Sequence, residues 1–325
     1  MTHQFARRAA APAFATLALA AAGAGSPAFA SCGAASCTLT TDRFVQGSWD
    51  SPGFYLDLRA EYLRQDQLFS GSHKIGADQV NEETLERETI NRNLVATLDW
   101  AFGSNWAASV RVPYLDRRHV HDVLPDTPGD PVVTERWNIR RLGDVQVVGR
   151  YQLPLQDTTA YSISAGVKLP TGSHTVANED GAVAERSLQP GTGTTDLIVG
   201  ASARHALTGR DALFAQAGVM VALNSRDSFR PGHRIDFALG GVHQFESGWS
   251  AALQLNVSHR GRDSGAAAEP DLSGSTSVQL SPGVNVALSG ATHLYGFVQV
   301  PIYQHVNGVQ LVPRWSMVVG VNTLF

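Results

Sequence analysis

Long apolar runs are what this chain most plainly lacks. Beyond residue 30, no stretch of roughly 18 residues is free of polar side chains. A membrane helix needs about 20 apolar residues, so helical spans are excluded. Cysteine is nearly absent: only Cys32 and Cys37 occur, and Cys-x4-Cys with no further cysteine or nearby histidine is no convincing metal site. Charge is sparse too, at 17% of residues. Setting aside Arg7 and Arg8 leaves 23 basic against 29 acidic residues, a formal charge of −6, which gives no support to nucleic-acid binding. No segment from Phe54 onward reads as a helix, and no motif calls for a cofactor.

The first thirty residues read as a signal peptide. Arg7 and Arg8 precede an alanine-rich segment, Ala9 to Ala24, interrupted by Pro12 and closed by the cleavage pattern Ala28-Phe29-Ala30. The mature chain is expected to begin at Ser31, with about 295 residues, enough for one large β domain or two small ones. Residues 31–52 are expected to form a periplasmic N-terminal segment. Cys32 and Cys37 are disulfide candidates in an oxidising compartment, with acylation of Cys32 and free thiols as the alternatives.

What the chain has in quantity is alternation. In the last fifteen residues, LVPRWSMVVGVNTLF, one face carries Trp315, Met317, Val319, Val321, Thr323 and Phe325. The other carries Arg314, Ser316, Gly320 and Asn322, broken only by Val318 and Leu324. A period of two over this length is a strand with lipid or core on one side and water on the other. Such a strand is a poor edge in water, but a closed membrane barrel leaves no edge. Trp315, Met317, Val319, Val321 and Phe325 are accordingly read as an assembly signal for the barrel-insertion machinery. A soluble β-sandwich is the competing fold.

Twelve segments share the pattern: 54–63, 90–102, 106–115, 142–153, 161–169, 195–206, 212–223, 235–245, 249–260, 276–288, 294–304 and 311–325. Five connections are turns of a few residues, such as Gly103-Ser104-Asn105, and most of the others are long, among them 64–89, 116–141 and 170–194. Short periplasmic turns and longer external loops are the habit of outer-membrane barrels. Residues 53–325 therefore predict an all-β, antiparallel, up-and-down transmembrane barrel of about twelve strands, monomeric in scale. Both termini are expected in the periplasm, with outer-membrane lipid and lipopolysaccharide around the wall.

Alternation also assigns an inner face. It places Arg59, Arg111, Arg150, Lys168, Arg204, Arg260 and Arg314 in the lumen, with Asp57, Glu61, Asp99, Asp144, Asp196 and Asp236. On the same rule the strand 294–304 points Tyr295, Phe297 and Tyr303 inward. Charges facing lipid are costly, whereas in a lumen they pair with one another or with water. Two readings follow: a wet channel for a small solute, or a charge network that plugs the barrel.

The runs GVKLPTG at 166–172 and LQPGTGTTDLIVG at 188–200, together with the terminal Phe strand, resemble outer-membrane channel-like proteins of the transporter family of the meta-pathway of phenol degradation. The resemblance implies passage of small, aromatic or hydrophobic compounds, and carries over no ligand residues. Two further classes compete: a structural or surface-binding barrel, and a lipid hydrolase. The hydrolase needs a serine beside a histidine, and Ser258-His259 is the local candidate, although neighbours on a strand face opposite ways. His119-Val120-His121, in the second long loop, is read as solvated rather than metal-binding.

Overall fold

The computed structural model describes residues 39, 52–80, 83–103, 105–125, 131–153 and 158–325. The expected signal peptide, Cys32 and Cys37 lie outside the described residues. Thirteen strands form one antiparallel sheet: β1 (Gly53–Gly71), β2 (His73–Lys74), β3 (Thr84–Phe102), β4 (Trp106–Val123), β5 (Val133–Leu142), β6 (Val145–Gln152), β7 (Thr159–Leu169), β8 (Asp196–Ala206), β9 (Asp211–Ala222), β10 (Arg234–Gln244), β11 (Trp249–Arg260), β12 (Ser275–Ala287) and β13 (Thr292–Leu324). Eleven close a barrel, β13 pairing back onto β1; β2 and β5 stand outside the ring.

Strand β13 is 33 residues long because it folds back on itself at Asn307-Gly308, where Gly308 takes φ 62. Thr292 and Thr323 are 2.9 Å apart across the fold, and Leu324 N–H donates to Ala291 O at 3.0 Å. Its first limb pairs with β12 and its second with β1. Ten strands cross the wall once and β13 twice, so the all-β, transmembrane barrel has the expected twelve crossings. Both described ends meet at the short-turn side, where Phe54 and Phe325 exchange backbone hydrogen bonds.

Alternation decides what faces out. Leu58, Leu94, Leu98, Ile163, Val199 and Leu253 are each more than two-fifths exposed on the outer face of the wall. A continuous apolar surface of this kind is untenable in water and is the expected surface in lipid. Aromatic rings border it on the turn side: Phe54 stacks on Trp100 (5.7 Å) and Phe325 (6.4 Å), and Phe245 on Trp249 (3.9 Å).

The wall is lopsided. Strands β1 and β3 have 19 residues and β4 has 18, whereas β6, β7 and β8 have 8 to 11. Much of 64–89 and 116–141, expected as loop, is therefore strand that rises clear of the lipid. Tyr114 is the last apolar outward residue of β4 before Asp116 and Arg118. Above it, β5 pairs with β4 from Tyr114↔Leu142 to Val123↔Val133. Alternation between apolar and polar fades there because the outer face meets water and the inner face buries polar side chains, as in Arg64-Gln65-Asp66-Gln67, where Gln65 is buried and donates to Leu311 O at 3.0 Å.

Two bulges also defeat simple parity. Leu63 pairs with Ser316 but Gln65 with Pro313, so Arg314 and Trp315 together oppose one residue. Arg314, assigned to the lumen, lies instead on the outer rim, three-fifths exposed and 3.2 Å from Asp66. Similarly, Val278 pairs with Tyr303 and Gln279 with Pro301, leaving Ile302 extra; Tyr303, expected inside, is exposed. Pro301 and Pro313 mark both bulges, since proline cannot donate to the ladder.

Candidate functional site

Inside the ring lies a cavity of about 290 Å³, lined in part by Asp57, Arg59, Asp99, Arg111, Arg150, Arg234 and Asp236. Six of these seven were expected in the lumen; Arg234 was missed, although it shares the parity of Asp236. The charges neutralise one another. Arg59 donates to Glu61 at 2.9 Å, Arg111 lies 3.9 Å from the same carboxylate, and Arg234 lies 2.7 Å from Asp236. Ser109 hydroxyl bonds Asp99, and Tyr295 hydroxyl donates to Asp57 at 2.7 Å. Arg204 is half-buried on the inward face of β8, near the turn side.

Aromatic rings lie flat on one side of this lumen. A Cβ on Gly283 would fall 2.1 Å from the Phe297 ring, and one on Gly320 would fall 2.4 Å from Tyr295. Bare backbone at these glycines lets the rings lie against the wall instead of projecting across the bore. Leu39 is buried against Tyr295, Phe297 and Val318, inside the barrel. Gly283→Val should displace Phe297, destabilising the barrel by about 1–3 kcal/mol and lowering conductance. Unchanged thermal unfolding and conductance would contradict this packing.

At the loop side, residues 170–195 leave the short wall and lie across the mouth. Three of the expected lumen charges hold them there. Lys168 Nζ is 2.8 Å from Asp144 and 3.1 Å from Asp196, and bonds Thr192 Oγ1. Asp144 accepts the backbone N–H groups of Gly172 and Thr192, each at 3.0 Å. Thr194 donates to Asp196 at 2.6 Å. Gly172 and Gly191 pack backbone to backbone, where a Cβ on Gly172 would come within 2.9 Å of Gly191. The two runs singled out in the sequence, 166–172 and 188–200, are thus one knot in space.

The far part of the loop lands on the tall wall. Leu188 and Ala184 form a small core with Trp137 and Ile139 of β5. Trp137 Nε1 donates to Ala182 O at 3.0 Å, and Arg117 donates to Leu188 O at 2.6 Å. Gln189 holds the loop internally through Val176 N–H, at 2.8 Å, and Ala184 O, at 2.7 Å. Arg186 donates to Thr192 O and Arg226 O and lies over the Phe229 ring. Trp137 and Ile139 alternate with Arg136, Asn138 and Arg140, a legible signal within a stretch expected to be loop. Arg260, expected in the bore, stands at the loop end of the inward face of β11, where its Nη2 donates to both carboxylate oxygens of Asp263, at 2.9 and 3.0 Å, tying down the connection after β11.

His119 and His121 are not solvated. They sit on the inward face of β4 above the lipid-facing span, against Trp137. Thr89 Oγ1 is 2.8 Å from His119 Nδ1, His119 Nε2 is 3.3 Å from His121 Nδ1, and His121 Nε2 is 3.1 Å from Glu135. Among the described residues no group of three or more His, Cys, Asp or Glu is disposed to hold a metal. Burial, then His121 and Arg117, pushes the His119 imidazole down from 6.5 to about 3. Burial also lowers His121, with Glu135 opposing.

An opened mouth would let His119 protonate near its ordinary value, so closure is fully favoured above about 6.5 and weakens as pH falls toward 3. Conductance should therefore rise between about pH 7 and pH 4.5. His119→Gln should remove most of that rise, and an equal rise in both proteins would contradict the assignment.

Ser258 faces inward and His259 outward, where His259 bonds Thr276 at 2.9 Å, so Ser258 and His259 do not pair. No family model matches the chain, and no curated protein matches it. Among solved structures, an outer-membrane channel from Pseudomonas putida F1 superposes with TM-score 0.62 at 11% identity, covering 86% of this chain and 97% of that one. The fold is that of an outer-membrane channel. The NanC porin (TM-score 0.46, 13% identity, 82% and 98% covered) and the Ralstonia pickettii toluene transporter TbuX (0.46, 8%, 85% and 90%) align more loosely.

Proposed function

We propose that the protein is a narrow outer-membrane channel for small solutes. The carrying observation is a lumen with a cavity of about 290 Å³ and paired charges on its wall, with Arg59, Arg111, Arg150 and Arg234 balanced by Asp57, Glu61, Asp99 and Asp236. A bore of this composition stabilises polar solute without a strong preference for either sign of ion. Lys168, Asp144 and Asp196 act at the mouth as anchors of the loop rather than as contacts for solute. The long-loop side faces the cell exterior and both termini the periplasm. The P. putida channel shares the fold, and the resemblance carried by residues 166–172 and 188–200 makes small aromatic compounds the first solutes to try.

A second reading, a plugged structural barrel, draws on Leu39 within the bore and on the loop over the mouth. Reversal potentials across a salt gradient, with phenols, aromatic acids and sugars added in turn, separate the two. Weak selectivity with solute-dependent block is expected of a channel. Strong cation or anion selectivity would refute the balanced lumen, and the absence of current would favour the plug.

A further inference from the structure

The tall wall carries a second feature that the channel does not use. On its outer face, just above the apolar band, arginines crowd three adjacent strands. In β3 Arg92 follows lipid-facing Leu94 by one outward step; in β4 Asp116 and then Arg118 follow Tyr114; in β5 Arg140 and Arg136 follow Leu142. Their registers interlock, with Ile90↔Arg118, Arg118↔Asn138, Asp116↔Arg140 and Val120↔Arg136. Arg92 and Arg136 are thus each diagonal to Arg118, about 7–8 Å away at Cα, which is within reach of long side chains, so these arginines share one patch.

Two carboxylates lie among them, and each is taken by another arginine: Asp116 is 3.5 Å from Arg140 and Glu88 is 2.7 Å from Arg64. Among the described residues Arg92, Arg118 and Arg136 themselves have no ion pair or side-chain hydrogen bond, so the patch holds more guanidinium groups than carboxylates. The opposite wall differs. There the outward residues at the same end of β7, β8 and β10 are Leu169, Leu197 and Ile235, all exposed and apolar.

We infer that this patch binds the phosphate groups of a glycolipid headgroup in the outer leaflet, lipid A being the form tested. Guanidinium forks match phosphate oxygens in pairs, and a cluster one step above the hydrocarbon boundary lies at headgroup depth. The inference rests on the proposed outward orientation of the loop side, and is independent of whether the lumen conducts. Such a lipid would brace the wall on which residues 170–195 land.

The test uses the full chain refolded in detergent. It is titrated with bisphosphorylated lipid A, the dephosphorylated lipid, phosphatidylglycerol and inorganic phosphate, with retention read by native mass spectrometry. Wild type should hold bisphosphorylated lipid A about tenfold more tightly than the dephosphorylated form. Arg92→Glu/Arg118→Glu/Arg136→Glu should lose that difference, while Arg210→Glu, at a turn on the opposite end, should keep it. Should the triple variant fail to fold, Arg118→Gln should weaken binding and Arg118→Lys should weaken it less.

Equal retention of phosphatidylglycerol would overturn the assignment, as would equal competition by inorganic phosphate or undiminished binding by the triple variant or Arg118→Gln. Conductance recorded on the same proteins keeps the two readings apart. Lipid selectivity in a silent barrel would fault only the channel, and a conducting barrel without lipid selectivity only the patch.

Discussion

Replacing Lys168 by alanine should release the loop over the mouth and raise single-channel conductance severalfold. Lys168 and its two partners, Asp144 and Asp196, are each about 7% exposed. Removing the shared cation leaves two carboxylates close together with no countercharge, and breaking a buried pair in this way costs about 3–5 kcal/mol. The cheapest relief is for water to enter, which separates Asp144 from Gly172 and Thr192 and lifts residues 170–195. The strands themselves keep their ladders, so heat-modifiable migration should persist. Lys168→Arg keeps the charge but not the compact fit beside Thr192, and should fall between. Unaltered conductance in Lys168→Ala would mean that the loop does not obstruct the bore.

Deleting Phe325 should reduce membrane-inserted protein far more than exported protein. Phe325 is two-thirds exposed on the lipid side, stacks on Phe54, and exchanges backbone hydrogen bonds with it at 3.0 and 3.3 Å. Those bonds end the seam between β13 and β1, the last to form in chain order and the one that removes both edges. Trp315, Met317 and Val319 line the same outward face, and Val321 continues it. As an assembly signal, this face must be presented before closure, so the loss should appear as periplasmic accumulation in pulse-chase fractionation. Normal outer-membrane levels of the truncated protein would contradict the role.

Most of the barrel was legible because its residues answer to two solvents at once. Wherever lipid lies on one side and water on the other, parity alone places Asp57, Arg59, Asp99, Arg111, Arg150 and Asp236 on the inside. Legibility fails where one of those solvents is missing. Above Tyr114 the outer face of the tall wall meets water and the inner face buries mostly polar side chains such as Gln65, Asn91 and His119, so the periodicity that marks a strand weakens. It fails again at Pro313 and Pro301, where an extra residue reverses parity and sends Arg314 and Tyr303 outward.

The mouth was half legible. The glycine- and proline-rich runs drew notice, but their meeting at Asp144 depends on backbone approaches at Gly172 and Gly191 that no local pattern encodes. Trp137 and Ile139 did carry a readable alternation. Their partner Leu188 lies about fifty residues away, and only the folded wall brings them together.

A bore that conducts and a loop that narrows it make separate contributions to the current. The most direct test is single-channel conductance in a planar bilayer, comparing the refolded protein with a variant in which residues 175–187 are replaced by a short glycine linker. A small, steady conductance in the first and a severalfold larger one in the second is the predicted result. Silence from both folded barrels would contradict it.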